Sequence, residues 1–201
     1  MDIKGYDNDT DLIFSKNQLQ AQMEFSLAVS QRKLYINETI TEESVFKYIY
    51  YLNKIVSIDK KNNSKEPIEI YINSNGGSVY DGLALISHIE FLKEQGYKII
   101  TINMGKAFSM AFLISLVGSE RKAYRYSRYM YHEISGGIIG KYHEMLEDLN
   151  ECAVLSDIVM DIVIKYSNIT KEELKDIGER KQDKYFSAKE LLDLKGVDLI
   201  I

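Results

Sequence analysis

Short apolar segments alternate with longer, mixed segments through the middle of this chain. Residues 68–73 form an apolar run directly after Pro67, and residues 98–104 form another directly before a glycine. Runs of this length and composition are typical of buried strands. A helix is predicted between them at 79–94, and a second, strongly apolar helix from about Ser109. Because strand, helix, strand and helix follow in this order, we predict parallel strands and an α/β fold.

The flanking segments extend this plan. A strand is predicted at 33–36, and a helix from Thr39 to about Val56, with Thr39 as its cap and Glu42 placed for a capping box. The polar stretch 57–67 is predicted to be a loop. The longest helix is predicted at 142–167, with an apolar stripe on one side and acidic residues on the other. A helix of this length is unusual in a domain of this size, so we expect it to pack on another subunit.

Shorter signals mark the two ends of the chain. Residues 18–29 are predicted to be helical, because apolar side chains recur there at four-residue spacing. Near the C-terminus, two capping boxes predict two short helices: Thr170 with Glu173, and Ser187 with Glu190. The chain is predicted to end in a strand at 197–201.

Composition narrows the class of protein. The 201 residues suit one medium domain, with an ordinary globular balance of 45% apolar and 27% charged residues. A net charge of −5 gives no basic footprint, so nucleic acid is not an expected partner. The single cysteine, Cys152, excludes an internal disulfide and fits a reducing compartment. The apolar run 107–118 is too short for a bilayer and the first residues lack a secretory signal, so we expect a cytoplasmic protein without a membrane partner.

Two features near the middle of the chain have two interpretations each. Gly76 and Gly77 follow a strand directly, which is commonest in a tight turn. Bare N–H groups in such a loop can also face a ligand, because no side chain obstructs its approach. Ser109 follows a strand and opens a helix, where it is expected either to cap the helix or to place a reactive hydroxyl at the positive end of the helix dipole. The residues around Ser109 do not decide between these two roles.

Two further candidates are weak when taken singly. The three histidines, His88, His132 and His143, have the wrong spacing for a metal site, so no metal is expected. His132 ends a predicted strand before a glycine turn, where an imidazole can reach a cleft. Asp183 is by itself one of many surface carboxylates. The order of the glycine loop, the serine, the histidine and the aspartate is more informative than any one of them.

Four runs in this order resemble the proteolytic subunit of the Clp protease: IEIYINSNGGSVYDGLAL, MGKAFSMAFLI, SRYMYHE and DKYFSAKELLDLKGVD. The similarity covers roughly residues 32–201 as one peptidase domain and leaves residues 1–31 as an axial, gating segment. The resemblance implies a crotonase-like α/β spiral of parallel sheet units with a long protruding handle helix at about 142–167. It also implies that this helix interlocks two heptameric rings into a hollow homo-oligomeric barrel.

The resemblance also implies the chemistry and the residues that perform it. Ser109 would be the nucleophile of a serine endopeptidase, His132 its general base and Asp183 the carboxylate that orients the imidazole. The backbone N–H groups of Gly77 and Met110 would form the oxyanion hole. No cofactor is implied in this subunit.

A polypeptide substrate would bind as an added strand. The residues implied in this pairing are Gly76, Ser78 and Val79 on one side of the substrate and Ile134 on the other. An ATP-dependent unfoldase of the AAA+ type is the implied partner, and it would feed unfolded polypeptides into the chamber.

The sequence departs from the family's usual pattern at several positions. Gln182 replaces an arginine that often couples the two rings, which puts the double ring in doubt. Glu69 and Lys122 stand where the docking cleft for the unfoldase is usually aromatic. Glu133 and Ile134 follow the histidine in place of glutamine and proline. An acidic neighbour would either make the imidazole more basic or shift the cleavage preference.

Other functions remain open at this point. A subunit with a dormant triad in a mixed ring is the non-enzyme alternative, although all three triad residues are present. The same scaffold can serve acyl-thioester chemistry, or a capsid-maturation peptidase of phage type. A serine–lysine mechanism through Lys106 is a further alternative to one through His132.

Overall fold

The computed structural model describes residues 8–135, 139–180 and 182–201. Within these residues the helices are α1 (Asn8–Gln31), α2 (Glu42–Asn62), α3 (Val79–Glu94), α4 (Met110–Leu116), α5 (Tyr142–Tyr166), α6 (Lys171–Glu179) and α7 (Ala188–Asp193). The strands are β1 (Lys33–Ile36), β2 (Ile68–Ser74), β3 (Ile99–Phe108), β4 (Glu120–Ala123), β5 (Arg128–Tyr131), β6 (Lys184–Ser187) and β7 (Leu199–Ile200).

The strands form one sheet that is mostly parallel. Its main path runs β1-β2-β3-β4-β7, and every pair along it is parallel. β3 changes partner along its length, because residues 100–103 pair with β4 and residues 106–108 pair with β5. β6 is antiparallel to β5. The predicted α/β fold with parallel strands is therefore confirmed.

The core consists of the central strands and the helices packed on them. Ile68, Ile70 and Ile72 of β2 are buried, and so is the whole of α4. The apolar segment that begins at residue 107 therefore belongs to the hydrophobic core, as expected for a run too short to cross a bilayer. Within the described residues, no helix combines the length and the apolar character that a membrane crossing requires.

Most of the predicted elements match the structure closely. α3 covers the predicted 79–94, and α5 covers all but the last residue of the predicted 142–167. Both predicted C-terminal capping boxes are confirmed, at Thr170 with Glu173 and at Ser187 with Glu190. β4 and β6, with four residues each, were not predicted.

The predicted start and end of α2 were wrong. Its cap is Thr41, which forms a capping box with Ser44, and not Thr39 with Glu42. The helix also continues to Asn62, through the first half of the segment predicted to be a loop.

A partly buried ion pair attaches this polar segment to the rest of the fold. The carboxylate of Asp59 is buried and accepts two hydrogen bonds from the Arg32 guanidinium, at 2.7 and 2.9 Å. Fork-to-fork pairs of this kind are among the stronger charged contacts. The helix ends only where Asn63 adopts the left-handed conformation that favours a C-terminal cap.

The N-terminal helix packs on the domain in its last turns. Phe25 of α1 lies edge-on to Tyr51 of α2, with ring centroids 5.6 Å apart. Glu24 pairs with Lys47 at 3.4 Å. The C-terminal part of the segment predicted at 1–31 is therefore attached to α2, while its first seven residues lie outside the described residues. Its gating role remains a prediction.

Candidate active site

Ser109 occupies a sharp turn between a strand and a helix. β3 ends at Phe108 and α4 begins at Met110, so a single residue joins them. Ser109 makes the turn with φ 54° and ψ −126°, a conformation that residues other than glycine rarely adopt. Strain of this kind costs on the order of 1–3 kcal/mol and occurs most often at functional sites. The Ser109 amide donates to Met130 O at 2.8 Å, which fixes the turn against β5.

The hydroxyl of Ser109 lies against the imidazole of His132. The parallel pairing of β3 with β5 sets Phe108 beside Met130. Ser109 and His132 each follow the end of one of these strands. Their Oγ and Nε2 atoms are 2.8 Å apart, within hydrogen-bond distance. The hydroxyl makes no capping bond to α4, so Ser109 stands at the cap position without serving as a side-chain cap.

The structure does not join Asp183 to this pair. β6 runs antiparallel to β5 with Lys184 opposite Tyr131, so extending the register by one residue sets Asp183 opposite His132. The Asp183 side chain is nevertheless exposed, and its one hydrogen bond among the described residues comes from Tyr185 Oη at 3.5 Å. It lines a separate cavity of about 250 Å³ beside α6. The backbone thus places residue 183 opposite His132, but the Asp183 carboxylate makes no described hydrogen bond to the imidazole.

Both glycines of the loop after β2 are required by close backbone contacts. Gly76 has φ 92°, and a Cβ atom there would lie 2.8 Å from Ser109 Cβ and 2.6 Å from Phe108 O. Gly77 has φ 154°, and a Cβ atom there would overlap Ile40 O. The glycine loop therefore packs closely between the backbone at Ile40 and the turn at Ser109, where a side chain would not fit.

Two backbone amides line the same cleft as Ser109. Around the glycine loop, Ile40 N donates to Gly76 O and Ser78 N donates to Ile40 O, both at 2.9 Å, so Gly77 N–H takes no part in this pairing. Met110 is the first residue of α4, where an N–H has no intrahelical acceptor. The predicted oxyanion donors are thus both unused by secondary structure, and their role remains a prediction.

Part of the edge predicted to pair with a substrate strand makes hydrogen bonds within the chain. Gly76 O and Ser78 N are already engaged by Ile40. Val79 is the first residue of α3, and Ser78 caps that helix by accepting from the Asp81 amide. On the opposite side Ile134 is half-buried and lines the cleft. Substrate pairing at these four residues remains a prediction.

The cleft beside Ser109 is small, and both polar and apolar residues line it. It has a volume of about 60 Å³. Two of its apolar lining residues, Leu113 and Val159, were not singled out from the sequence. Leu113 lies one helical turn after Ser109, so the helical period could have identified it. Val159 reaches the cleft from α5, and no local pattern predicts that contact.

The electrostatics of the cleft are set by one carboxylate. Glu133 is exposed and is the only charged side chain among the described lining residues. Burial and the nearby Glu133 charge raise the pKa of Tyr131, which also lines the cleft, to about 12. Tyr131 is therefore a neutral phenol at ordinary pH, and His132 is the side chain within hydrogen-bond distance of the Ser109 hydroxyl.

No arrangement for a metal ion is found in the described parts of the chain. There, no group of three or more His, Cys, Asp or Glu side chains is placed to hold one. Lys106, the alternative base, extends from β3 and is absent from the described lining of the cleft.

Comparison with known proteins identifies the family. The family model described as Clp protease matches residues 15–201. The ATP-dependent Clp protease proteolytic subunit of Deinococcus radiodurans is 30% identical over 150 residues, which cover 74% of this chain and 71% of that protein. Proteolytic subunit 1 of Prochlorococcus marinus subsp. pastoris is 28% identical over 180 residues, 88% of this chain and 87% of that protein. The match spans the serine turn, the histidine strand and the aspartate loop, and the chain belongs to the Clp protease family.

Proposed function

We propose that this chain is a serine endopeptidase subunit that cleaves peptides and unfolded polypeptides through an acyl-enzyme. The observation that carries the proposal is the 2.8 Å contact between Ser109 Oγ and His132 Nε2 at a strained strand-to-helix turn. A serine hydroxyl is a weak nucleophile until a neutral imidazole accepts its proton. The family membership and the names of the relatives support the same activity.

The first half of the reaction forms the acyl-enzyme. Ser109 Oγ attacks the scissile carbonyl carbon as His132 Nε2 takes the hydroxyl proton. The carbonyl oxygen becomes an oxyanion that accepts hydrogen bonds from the amides of Gly77 and Met110. Removing one such donor elsewhere costs about 3–4 kcal/mol of barrier, which sets the scale of this contribution. The imidazolium then protonates the leaving amine, and the peptide bond breaks.

The second half releases the acid product. A water molecule enters the site of the departed amine, and neutral His132 takes its proton as the oxygen attacks the acyl carbon. The imidazolium then returns the proton to Ser109 Oγ as the bond between this oxygen and the acyl carbon breaks, which frees the acid and restores the serine. Asp183 would fix the imidazole tautomer and stabilise the imidazolium in both halves. Because its carboxylate is exposed and apart from the imidazole in the single chain, we propose that this contact forms in the assembled enzyme.

We further propose that the subunit works in a homo-oligomeric ring assembly of crotonase-like subunits, with α5 as the handle. Exposed apolar side chains on α5 support this: Met145, Leu146, Leu149, Val154 and Ile158. Stacked heptameric rings form the arrangement that the family resemblance implies. Gln182 is exposed and lines the same cavity as Asp183. It replaces the arginine that often couples the two rings in the family, so this residue does not support the coupling.

An unfoldase ATPase is the proposed partner. The word "ATP-dependent" in the relatives' names supports it. Glu69 accepts a hydrogen bond from Tyr71 Oη at 2.9 Å and pairs with Lys33 at 3.8 Å, and Lys122 pairs with Glu120 at 3.0 Å. The charges at the docking positions are thus neutralised by neighbouring side chains. The Tyr71 and Tyr35 rings stack with their centroids 5.0 Å apart, so an aromatic surface remains there.

Cleavage of a small fluorogenic peptide tests the proposal. The wild-type assembly should cleave it, and Ser109→Ala should abolish cleavage while the oligomer remains intact by size-exclusion chromatography. Ser115→Ala, a serine of the same helix whose hydroxyl bonds to Phe112 O, is the matched control and should retain activity. Cleavage by the Ser109→Ala protein at the wild-type rate would exclude this serine as the nucleophile.

A catalytically silent ring subunit is the second candidate. The separation of the Asp183 carboxylate from His132 favours it, because an unoriented imidazole is a poor base. An assembled protein that binds peptides without cleaving them, and whose Ser109 does not react, would establish this alternative.

A further inference from the structure

Glu133 has no role in the reaction described above, although it lies at the reaction site. It follows His132 directly, its side chain is exposed, and it lines the cleft that contains Ser109. Apart from the imidazole of His132, the other described lining residues carry no charged side chain at neutral pH. A substrate side chain that enters this cleft therefore meets one full charge, and that charge is negative.

The segment after His132 has the alternating exposure of an extended strand. Glu133 is exposed, Ile134 is half-buried and packs against the core, and Ser135 is exposed. Side chains of an extended segment alternate between its two faces. Backbone pairing with a substrate at Ile134 would leave the Glu133 side chain on the open face, next to substrate side chains on that face.

The Glu133 carboxyl group lies near α6. A Cβ atom on Gly178 would lie 4.0 Å from Glu133 Cδ, in ordinary van der Waals contact. The glutamate thus lies beside α6 at a residue without a side chain.

No described cation neutralises this carboxylate. Among the described residues, no ion pair includes Glu133. The basic residues at the two ends of α6 have other partners: Lys171 pairs with Asp157 at 3.4 Å, and Arg180 with Asp176 at 2.7 Å. A carboxylate without a cationic partner among the described residues, at the edge of a substrate cleft, is placed to bind a cationic group.

We propose that Glu133 is a specificity-determining residue, which favours polypeptide substrates with a lysine or arginine side chain close to the scissile bond. This inference rests on the proposed peptidase function. Side chains directly opposite on paired strands have Cβ atoms about 4.5–5.5 Å apart, within reach of a lysine–glutamate contact. For an exposed cross-strand pair, we expect a preference of about two- to fivefold in kcat/KM.

The test compares fluorogenic peptides that differ only in one residue beside the cleaved bond: lysine, glutamine or glutamate. For the wild-type assembly, kcat/KM should fall in that order, and the differences should shrink in 1 M salt. Glu133→Gln should bring the ratio of kcat/KM for the lysine peptide to that for the glutamate peptide to about one. Glu133→Lys should invert this ratio. Glu172→Gln, which makes the same charge change on an exposed residue of α6, should leave the ratio as in the wild type.

A second measurement separates this inference from the proposed function. Binding of the same peptides to the Ser109→Ala protein, measured by fluorescence anisotropy, reports recognition without chemistry. Tighter binding of the lysine peptide that is lost in Ser109→Ala/Glu133→Gln supports the role of Glu133 even if the wild type cleaves nothing. Equal binding and equal kcat/KM for the lysine and glutamate peptides would overturn it, while cleavage itself would still support the peptidase.

Discussion

Gly76 lies directly against Ser109. A side chain on this glycine would bring its Cβ atom to 2.8 Å from Ser109 Cβ, closer than non-bonded carbon atoms approach in folded proteins. The loop after β2 and the turn after β3 therefore fit together only because Gly76 has no side chain. This contact couples the loop that carries the Gly77 amide to the turn that carries the hydroxyl.

Gly76→Ala should abolish or strongly reduce peptidase activity. The alanine would add backbone strain at φ 92° and would also displace the Ser109 turn. Gly96→Ala is a matched control, because Gly96 has φ 85° and a Cβ atom there would meet only the flexible end of Lys65, at 3.5 Å. We expect similar backbone strain in both variants, about 1 kcal/mol or more by urea unfolding. Loss of activity should be confined to Gly76→Ala, and equal activity of the two variants would contradict the coupling.

Asp183→Asn should lower kcat of the assembled protein. If the carboxylate turns towards His132 on assembly, the amide in its place would favour the wrong imidazole tautomer, which cost about 10⁴ in kcat in a well-studied triad. Asp176→Asn is a suitable control, since this acid lines the same cavity beside α6 and pairs with Arg180 instead. Steady-state kinetics should show a loss of at least about 100-fold for Asp183→Asn alone. Wild-type kcat in this variant would mean that the imidazole works without the carboxylate.

Elements with their own apolar pattern were predictable from the sequence, and polar elements were not. α3 and α5 bury apolar faces, and both were located to within one residue. β4 and β6 have mostly exposed or half-buried side chains, so their strand character comes from pairing with neighbours. In the polar segment 57–62, which is helical, Asp59 is buried against Arg32, a residue 27 positions earlier. Contacts of this kind are set by the tertiary fold.

The same distinction holds for the site. Ser109 was marked by the strand-to-helix turn, but its contact with His132 depends on the pairing of β3 with β5. Only the family resemblance joined the two residues at the level of the sequence. The resemblance also named Asp183. Its backbone lies opposite His132, as expected, but its carboxylate bonds to Tyr185 and not to the imidazole.

Leu149→Asp should prevent assembly without unfolding the subunit. Leu149 lies on α5 with 55% of its surface exposed, so a charge there costs the isolated chain little. In a helix-to-helix interface the same charge would lose its water, which is expensive. Asn150→Asp adds the same charge at the next position, rotated by about 100° around the helix axis. Light scattering should show a small species for Leu149→Asp and the wild-type oligomer for Asn150→Asp; full assembly of Leu149→Asp would exclude this face as the interface.

Asp198 should contribute stability that disappears in acid. Hydrogen bonds from Arg121, which outweigh the opposing effect of burial, hold the pKa of Asp198 below its ordinary 3.8. A carboxyl group with a lowered pKa in the folded state stabilises it above pH 3.8, and the contribution is lost as the pH falls through the folded-state pKa. The pair links β4 to the C-terminal strand β7, so its loss acts on the end of the sheet.

Urea unfolding from pH 7 to pH 3 measures this contribution. Asp198→Asn should be less stable than the wild type at pH 7 by about 1 kcal/mol or less, because the side chain is partly exposed. The difference should narrow below pH 3.8. Asp193→Asn, an exposed acid outside the described ion pairs, should show no such dependence. A constant difference across the pH range would contradict the ionic origin of the effect.

Labelling with a fluorophosphonate, followed by peptide mass mapping, tests the central claim most directly. The account predicts modification of the assembled wild-type protein at Ser109, no modification in Ser109→Ala, and labelling slowed by at least about 100-fold in His132→Ala. Labelling of His132→Ala at the wild-type rate, or an assembled wild-type protein whose Ser109 stays unmodified, would contradict it.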